Sequence, residues 1–225
     1  RRVIDVDLIL NGNPNQAEFD YSEEKGKYLL GAPYFIMDSS YAENRIRNNT
    51  SGNCILLTLG GSDQNNLIFG ILSALVNIAD VSEVIVLTSK STGYFDELSR
   101  FVNDQSKKIK LYSDVPSLQP YWSECNLAIT AGGNTLFERI ASGVAGASIC
   151  QLSRQMEIAD KFEEMDVNKN IGYGPEIESC ILMKSINDFI ADNPNHIKQQ
   201  RKCREITKGN GIVLFSNELS KLVGG

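Results

Sequence analysis

The chain has 225 residues, 42% of them hydrophobic and 22% charged, a balance that supports a folded core and excludes a disordered or low-complexity protein. A formal charge of −6, with a pI near 5.0, argues against nucleic acid as a partner and requires any phosphate to be held mainly by backbone dipoles. The longest apolar runs, such as Cys54–Leu57 and Val84–Leu87, fall far short of the roughly 18 residues of a membrane span, so none is predicted.

The chain opens Arg1-Arg2-Val3 with neither an initiator methionine nor the apolar stretch of a signal peptide, which is compatible with residues ahead of it. Short apolar runs rich in β-branched residues predict strands at Val6–Leu10 and Tyr34–Met37. The polar, turn-rich stretch Tyr41–Asn53 then divides the chain. Residues 1–48 read as the end of a preceding domain plus an interdomain connection, too short to bury a core alone, and residues 49–225 as a binding domain.

From Cys54 the pattern is regular. Strands are predicted at Cys54–Leu59, Val84–Thr88, Ile109–Tyr112, Leu127–Thr130 and Ala147–Leu152, with helices at Asn66–Ala79, Asn134–Ser142 and Met156–Met165 where apolar residues recur at three- and four-residue spacing. Alternating strands and helices imply an α/β fold, a Rossmann-like parallel sheet with helices on both faces. After Gly174-Pro175 the chain reads as three helices, Ile177–Ala191, Pro194–Lys208 and Ile212–Leu222. Five dispersed cysteines without a C-x-x-C pair read as reduced thiols of a cytoplasmic protein.

Two segments carry chemistry. Strand Cys54–Leu59 runs into Gly60-Gly61-Ser62-Asp63 ahead of a helix, a turn that can present free N–H groups to a phosphate or serve as an ordinary turn and helix cap. Strand Leu127–Thr130 runs into Ala131-Gly132-Gly133-Asn134-Thr135, again opening a helix, and Glu138 lies one turn in. That carboxylate can accept both hydroxyls of a ribose, or merely offset the helix dipole or pair at the surface beside Arg139. Two glycine turns at the carboxyl ends of strands in one parallel sheet point to a shared crevice.

Together with Gln151–Ala159 (QLSRQMEIA), these blocks resemble the carboxyl-terminal domain of B-type glycosyltransferase-fold enzymes. They are most similar to the UDP-diacetamido-trideoxy-altropyranose hydrolases of pseudaminic acid biosynthesis and their spore-coat polysaccharide relatives, from about Asp7 to the end. The resemblance implies a UDP-sugar as substrate. It places the diphosphate at Gly60, Gly61 and Ser62, beside Asp63, and at Gly132, Gly133, Asn134 and Thr135, with the ribose on Glu138 and the base against Val115-Pro116. Gln155 matches a glutamine that reaches the sugar in transferase relatives, and also reads as an exposed helix residue. Asn126 stands where the family usually has aspartate, a change expected to affect only local hydrogen bonds.

The reaction the resemblance implies is hydrolysis of the sugar–diphosphate bond, with transfer to another acceptor, or nucleotide binding without chemistry, as alternatives. No cofactor is implied, and one His with scattered Cys offers no metal-ligand spacing. The catalytic histidine of such hydrolases lies in an upstream amino-terminal domain, so the base is expected outside this chain. His196, within a polar helix, is read as a solvated or near-cap residue.

Overall fold

The computed structural model describes residues 5–21, 25–43, 52–61, 63–105 and 108–224. Six strands, β3 (Asn53–Thr58), β4 (Val81–Thr88), β5 (Lys108–Ser113), β6 (Leu127–Ala131), β7 (Ala145–Cys150) and β8 (Lys169–Tyr173), form one sheet in the order β5-β4-β3-β6-β7-β8. Every pairing is parallel. The central strands β3, β6 and β7 are buried on both faces, as a parallel sheet covered by helices requires.

Side chains alternate across the sheet with a period of two. Ile55, Leu57, Val84, Val86, Leu127 and Ile129 face α1 (Leu67–Val76), α2 (Phe95–Asn103) and α6 (Ser179–Ala191). Their neighbours Cys54, Leu56, Ile85, Leu87 and Ala128 face the opposite layer with Trp122 from the short α3 (Gln119–Trp122). That layer continues through α4 (Asn134–Ala141), α5 (Met156–Glu164) and α7 (Asn193–Ile206), where Leu136, Phe137, Ile140, Phe162 and Cys203 pack together. Each fully buried side chain of this kind contributes about 1.5–3 kcal/mol.

The amino-terminal segment differs from its sequence reading. Its first strand, β1 (Asp5–Asn11), is where expected and pairs with β2 (Lys25–Leu30), while Tyr34–Met37 forms no strand. Pro33 and the positive φ of Gly31 (+91°) turn the chain into a 3₁₀ helix at Ala32–Tyr34, and Phe35 then stacks on Phe137 of α4 with ring centroids 4.0 Å apart. Ala32 joins the core beside α4 and α5, and α8 (Gly211–Val223) packs on β1. Most of the proposed boundary, residues 44–51, lies outside the described residues.

Two polar side chains sit where surface residues were expected. Arg139 is 0% exposed: its guanidinium donates to Val144 O (2.8 Å), Val167 O (3.0 Å) and Asn168 Oδ1 (2.9 Å), tying the end of α4 to the loops beside β7 and β8. Burial pulls its pKa down to about 10, and among the described residues no carboxylate offsets that burial. His196 is only 5% exposed, with Nε2 2.7 Å from Phe189 O and the ring edge-on to Phe189, so it is a buried contact between α6 and α7 and not a solvated group. Burial lowers its pKa as well. We expect Arg139→Ala to lower unfolding free energy by at least ~3 kcal/mol in urea denaturation, because it strands three acceptors at roughly 1–3 kcal/mol each.

Candidate functional site

In the order β5-β4-β3-β6-β7-β8 the chain winds outward from β3 in one direction and, after crossing to β6, in the other. The strand order therefore reverses between β3 and β6, and the loops leaving their carboxyl ends diverge to leave a crevice. Gly60-Gly61 follows β3 and Gly132-Gly133 follows β6. A cavity of about 270 Å³ lies there, lined by Leu59–Gly61, Gly133–Thr135, Gln151 and Gln155 among others.

The two turns are built differently. At Gly60 and Gly61 a Cβ would meet nothing within 4 Å, and Gly60 holds φ +81°, so this loop is bare backbone facing open space. At Gly132 a Cβ would meet Cys150 Sγ at 2.8 Å and Gln155 Cβ at 2.9 Å, so glycine is needed there for packing. Gly133 is the residue before α4, and no side chain caps that helix. At the start of α4 the first amides and the positive end of the dipole face the crevice, an arrangement that favours negative charge.

The start of α1 is already satisfied. Asp63 is 4% exposed and accepts from Leu67 N (3.1 Å) and Ile68 N (2.9 Å), while the Tyr94 hydroxyl donates to it at 3.3 Å. Its carboxylate thus holds the first turn of α1 as a helix cap does. On the far side of Gly61 a hollow of about 490 Å³ is flanked by Asp63 and Glu97, whose carboxylates repel a diphosphate. Ser62 lies outside the described residues.

Gln151 and Gln155 connect the turns. Gln151 Nε2 donates to Leu59 O (3.0 Å), reaching from the end of β7 to the loop after β3. Gln155 Oε1 accepts from Gln151 N (2.8 Å) and Leu152 N (3.2 Å), and its Nε2 lies against Gly133. Gln155 thus organises the loop after β7 with one end and faces the crevice with the other, so it is half-buried and not an exposed helix residue. Gln151 was missed as a site residue; its signal was a buried amide directly after an apolar strand.

Val115 and Leu118 line an adjoining hollow of about 290 Å³, with Thr88, Asp114 and Thr135, that shares Gly60 and Gly61 with the crevice. Glu138, one turn beyond Thr135, is half-buried; burial pushes its carboxyl pKa up, and the Tyr41 hydroxyl beside it pulls the other way. Its Oε2 is buried without a hydrogen-bond partner among the described residues. Asn126 sits at the opposite end of the sheet, where Oδ1 accepts from Cys54 N (2.7 Å) and Nδ2 donates to Asn53 Oδ1 (2.6 Å), so its hydrogen bonding is local.

The architecture is that of a B-type glycosyltransferase-fold domain. It is similar to the solved structure of MurG from Acinetobacter baumannii (TM-score 0.64, 16% identity, covering 79% of this chain and 55% of that one). It is also similar to the spinosyn rhamnosyltransferase SpnG complexed with thymidine diphosphate (TM-score 0.57, 16% identity, 86% and 52%). In sequence the chain is similar to the spore coat polysaccharide biosynthesis protein SpsG of Bacillus subtilis, 24% identical over 205 residues, covering 90% of this chain and 60% of that protein. No protein-family model matches. The chain spans well under two thirds of the length of each of these relatives. Among the described residues no helix is long and apolar enough to cross a membrane.

The contrast between the turns yields a paired expectation. Asp63→Ala should cost about 1 kcal/mol of stability, the usual loss for an N-terminal cap, with anion affinity nearly retained. Gly61→Ala should leave thermal stability within about 1 kcal/mol, since its Cβ meets nothing, yet weaken diphosphate binding by obstructing close approach to the backbone. Melting and pyrophosphate titration of the two variants check this.

Proposed function

We propose that the crevice holds the diphosphate of a UDP-sugar and that the chain is the nucleotide-binding part of an enzyme releasing UDP from a diacetamido-trideoxy sugar. The observation that carries this reading is the placement of both glycine turns at the strand reversal, beside a helix whose first turn no side chain caps. An acidic chain has little free positive charge to spend on phosphate, and backbone amides at a helix start supply what is needed. Gly60, Gly61, Gly133, Asn134 and Thr135 would face the diphosphate, with Ser62 continuing the first loop. Val115 and Leu118 would support the base, and Glu138, one turn beyond Thr135 and behind the lining of the crevice, would offer its carboxylate to the ribose.

The names of its relatives support the same class: one belongs to polysaccharide biosynthesis, and another was solved with a nucleoside diphosphate. Residues 1–48 then form the end of an upstream domain and its connection to the nucleotide-binding domain of residues 49–225. The β1–β2 pair supports this, since it buries little of its own and leans on α8. The upstream domain supplies the base. Water attacks the anomeric carbon, its proton passes to that base, and the bond to the β-phosphate oxygen breaks as UDP leaves with the electron pair. Backbone amides at the two turns stabilise the charge growing on the leaving group. His196, buried against Phe189, lines none of the crevice and takes no part. Four of the five free cysteines are buried, which fits reduced thiols and a cytoplasmic setting.

UDP at a hundredfold excess over its Kd should stabilise the protein by about 2.7 kcal/mol. Glu138→Ala should weaken UDP binding by about 1.5–3 kcal/mol with the ligand-free melting temperature nearly unchanged. In the intact protein, UDP and free sugar should appear in equal amounts without an acceptor. UDP release only when an acceptor is added would assign transfer instead, and no release in either case would leave a binding module.

A further inference from the structure

A second cleft of about 480 Å³ opens from the diphosphate crevice, with which it shares Gly133, Asn134 and Gln155. One wall is the start of α4 and α5, including Arg154 and Glu157; the other is the turn after β1, with Asn13, Asn15 and Gln16. Phe35 and Phe137, stacked on each other, form an apolar patch with Ile158. By this route a group attached to the diphosphate, leaving the α4 turn, meets the amino-terminal segment.

The carboxamides of that turn are held in a chain. The Tyr21 hydroxyl donates to Gln16 Oε1 (2.5 Å), Gln16 Nε2 donates to Asn15 Oδ1 (3.3 Å), and Asn15 Nδ2 donates to Glu157 Oε1 on α5. Each amide nitrogen spends one hydrogen in the chain and keeps a second, and Asn15 Oδ1 keeps a lone pair. Such groups offer both donors and acceptors in fixed positions at little further entropic cost. Across the cleft Gln155 Nε2 adds a donor, and the Phe35–Phe137 patch suits methyl groups.

Resting on the UDP-sugar reading, we infer that Asn15 and Gln16 are specificity residues that read the acylamino substituents of the sugar. An amide substituent carries one N–H, one C=O and a methyl, which matches paired, half-buried carboxamides beside an apolar patch; a hydroxyl in its place meets fewer of those donors and acceptors. The turn is thereby a recognition element contributed by the amino-terminal segment to a site otherwise built by the sheet.

Calorimetric titration with UDP, UDP-glucose and UDP-N-acetylglucosamine tests this on the intact protein and on Asn15→Ala, Gln16→Ala and Gln16→Glu. The last keeps an acceptor for Tyr21 and replaces the donor to Asn15 with a charged acceptor. All four proteins should bind UDP equally, which also reports that they are folded. The wild type should prefer UDP-N-acetylglucosamine over UDP-glucose by about 5–10-fold, and the variants should lose most of that preference. A wild type with no preference, or a preference that survives in all three variants, overturns the inference while UDP binding stands. Failure of the wild type to bind UDP at all overturns the nucleotide reading and this inference with it.

Discussion

The reversal of strand order between β3 and β6 is the constraint on which the rest of the molecule depends. Right-handed crossovers carry the chain away from β3 on one side and away from β6 on the other, so the loops leaving their carboxyl ends diverge. Both glycine turns arise there because that is where the backbone can be approached. The turn after β3 contributes exposed backbone, and the turn after β6 contributes a helix start. Gln151 fixes their spacing from β7 by holding the carbonyl of Leu59.

Stability and binding are divided between residues that look alike in sequence. Asp63 and Glu138 are carboxylates at the beginnings of two helices that follow two glycine turns. Asp63 closes on the amides of its own helix, whereas Glu138 keeps a buried oxygen without a hydrogen-bond partner among the described residues. The helix whose amides are occupied is a supporting element, and the helix whose N-cap is a glycine without a side chain is the one proposed to receive an anion. Arg139, next to Glu138, turns inward and fastens α4 to the loops beside β7 and β8, so the helix bearing the proposed ribose contact is held from behind.

Much of this was legible in the sequence where periodicity was strong. The strands from Cys54 to Thr88, the glycine turns and the α4 helix are where their patterns put them, because buried parallel strands are continuous apolar runs and glycine pairs mark their ends. Strand β8 was missed: its sequence KNIGY is short and polar, and Gly172 sits at φ +125° near a shift in register with β7. The apolar run Tyr34–Met37 read as a strand but follows Gly31 and Pro33, and its hydrophobicity serves to dock Phe35 on Phe137. The burial of Arg139 and His196 was not legible, since composition assigns charged and polar residues to the surface and only tertiary partners bring them inside.

The most direct test of the central claim is an amide proton–nitrogen correlation spectrum of the isotope-labelled protein during titration with UDP. Binding at the strand reversal predicts the largest shifts at Gly60, Gly61, Gly133, Asn134 and Thr135, with the amides of Leu67 and Ile68, already bonded to Asp63, moving little. Largest shifts in the hollow between Gly61 and Glu97, with the α4 turn unmoved, would contradict the account.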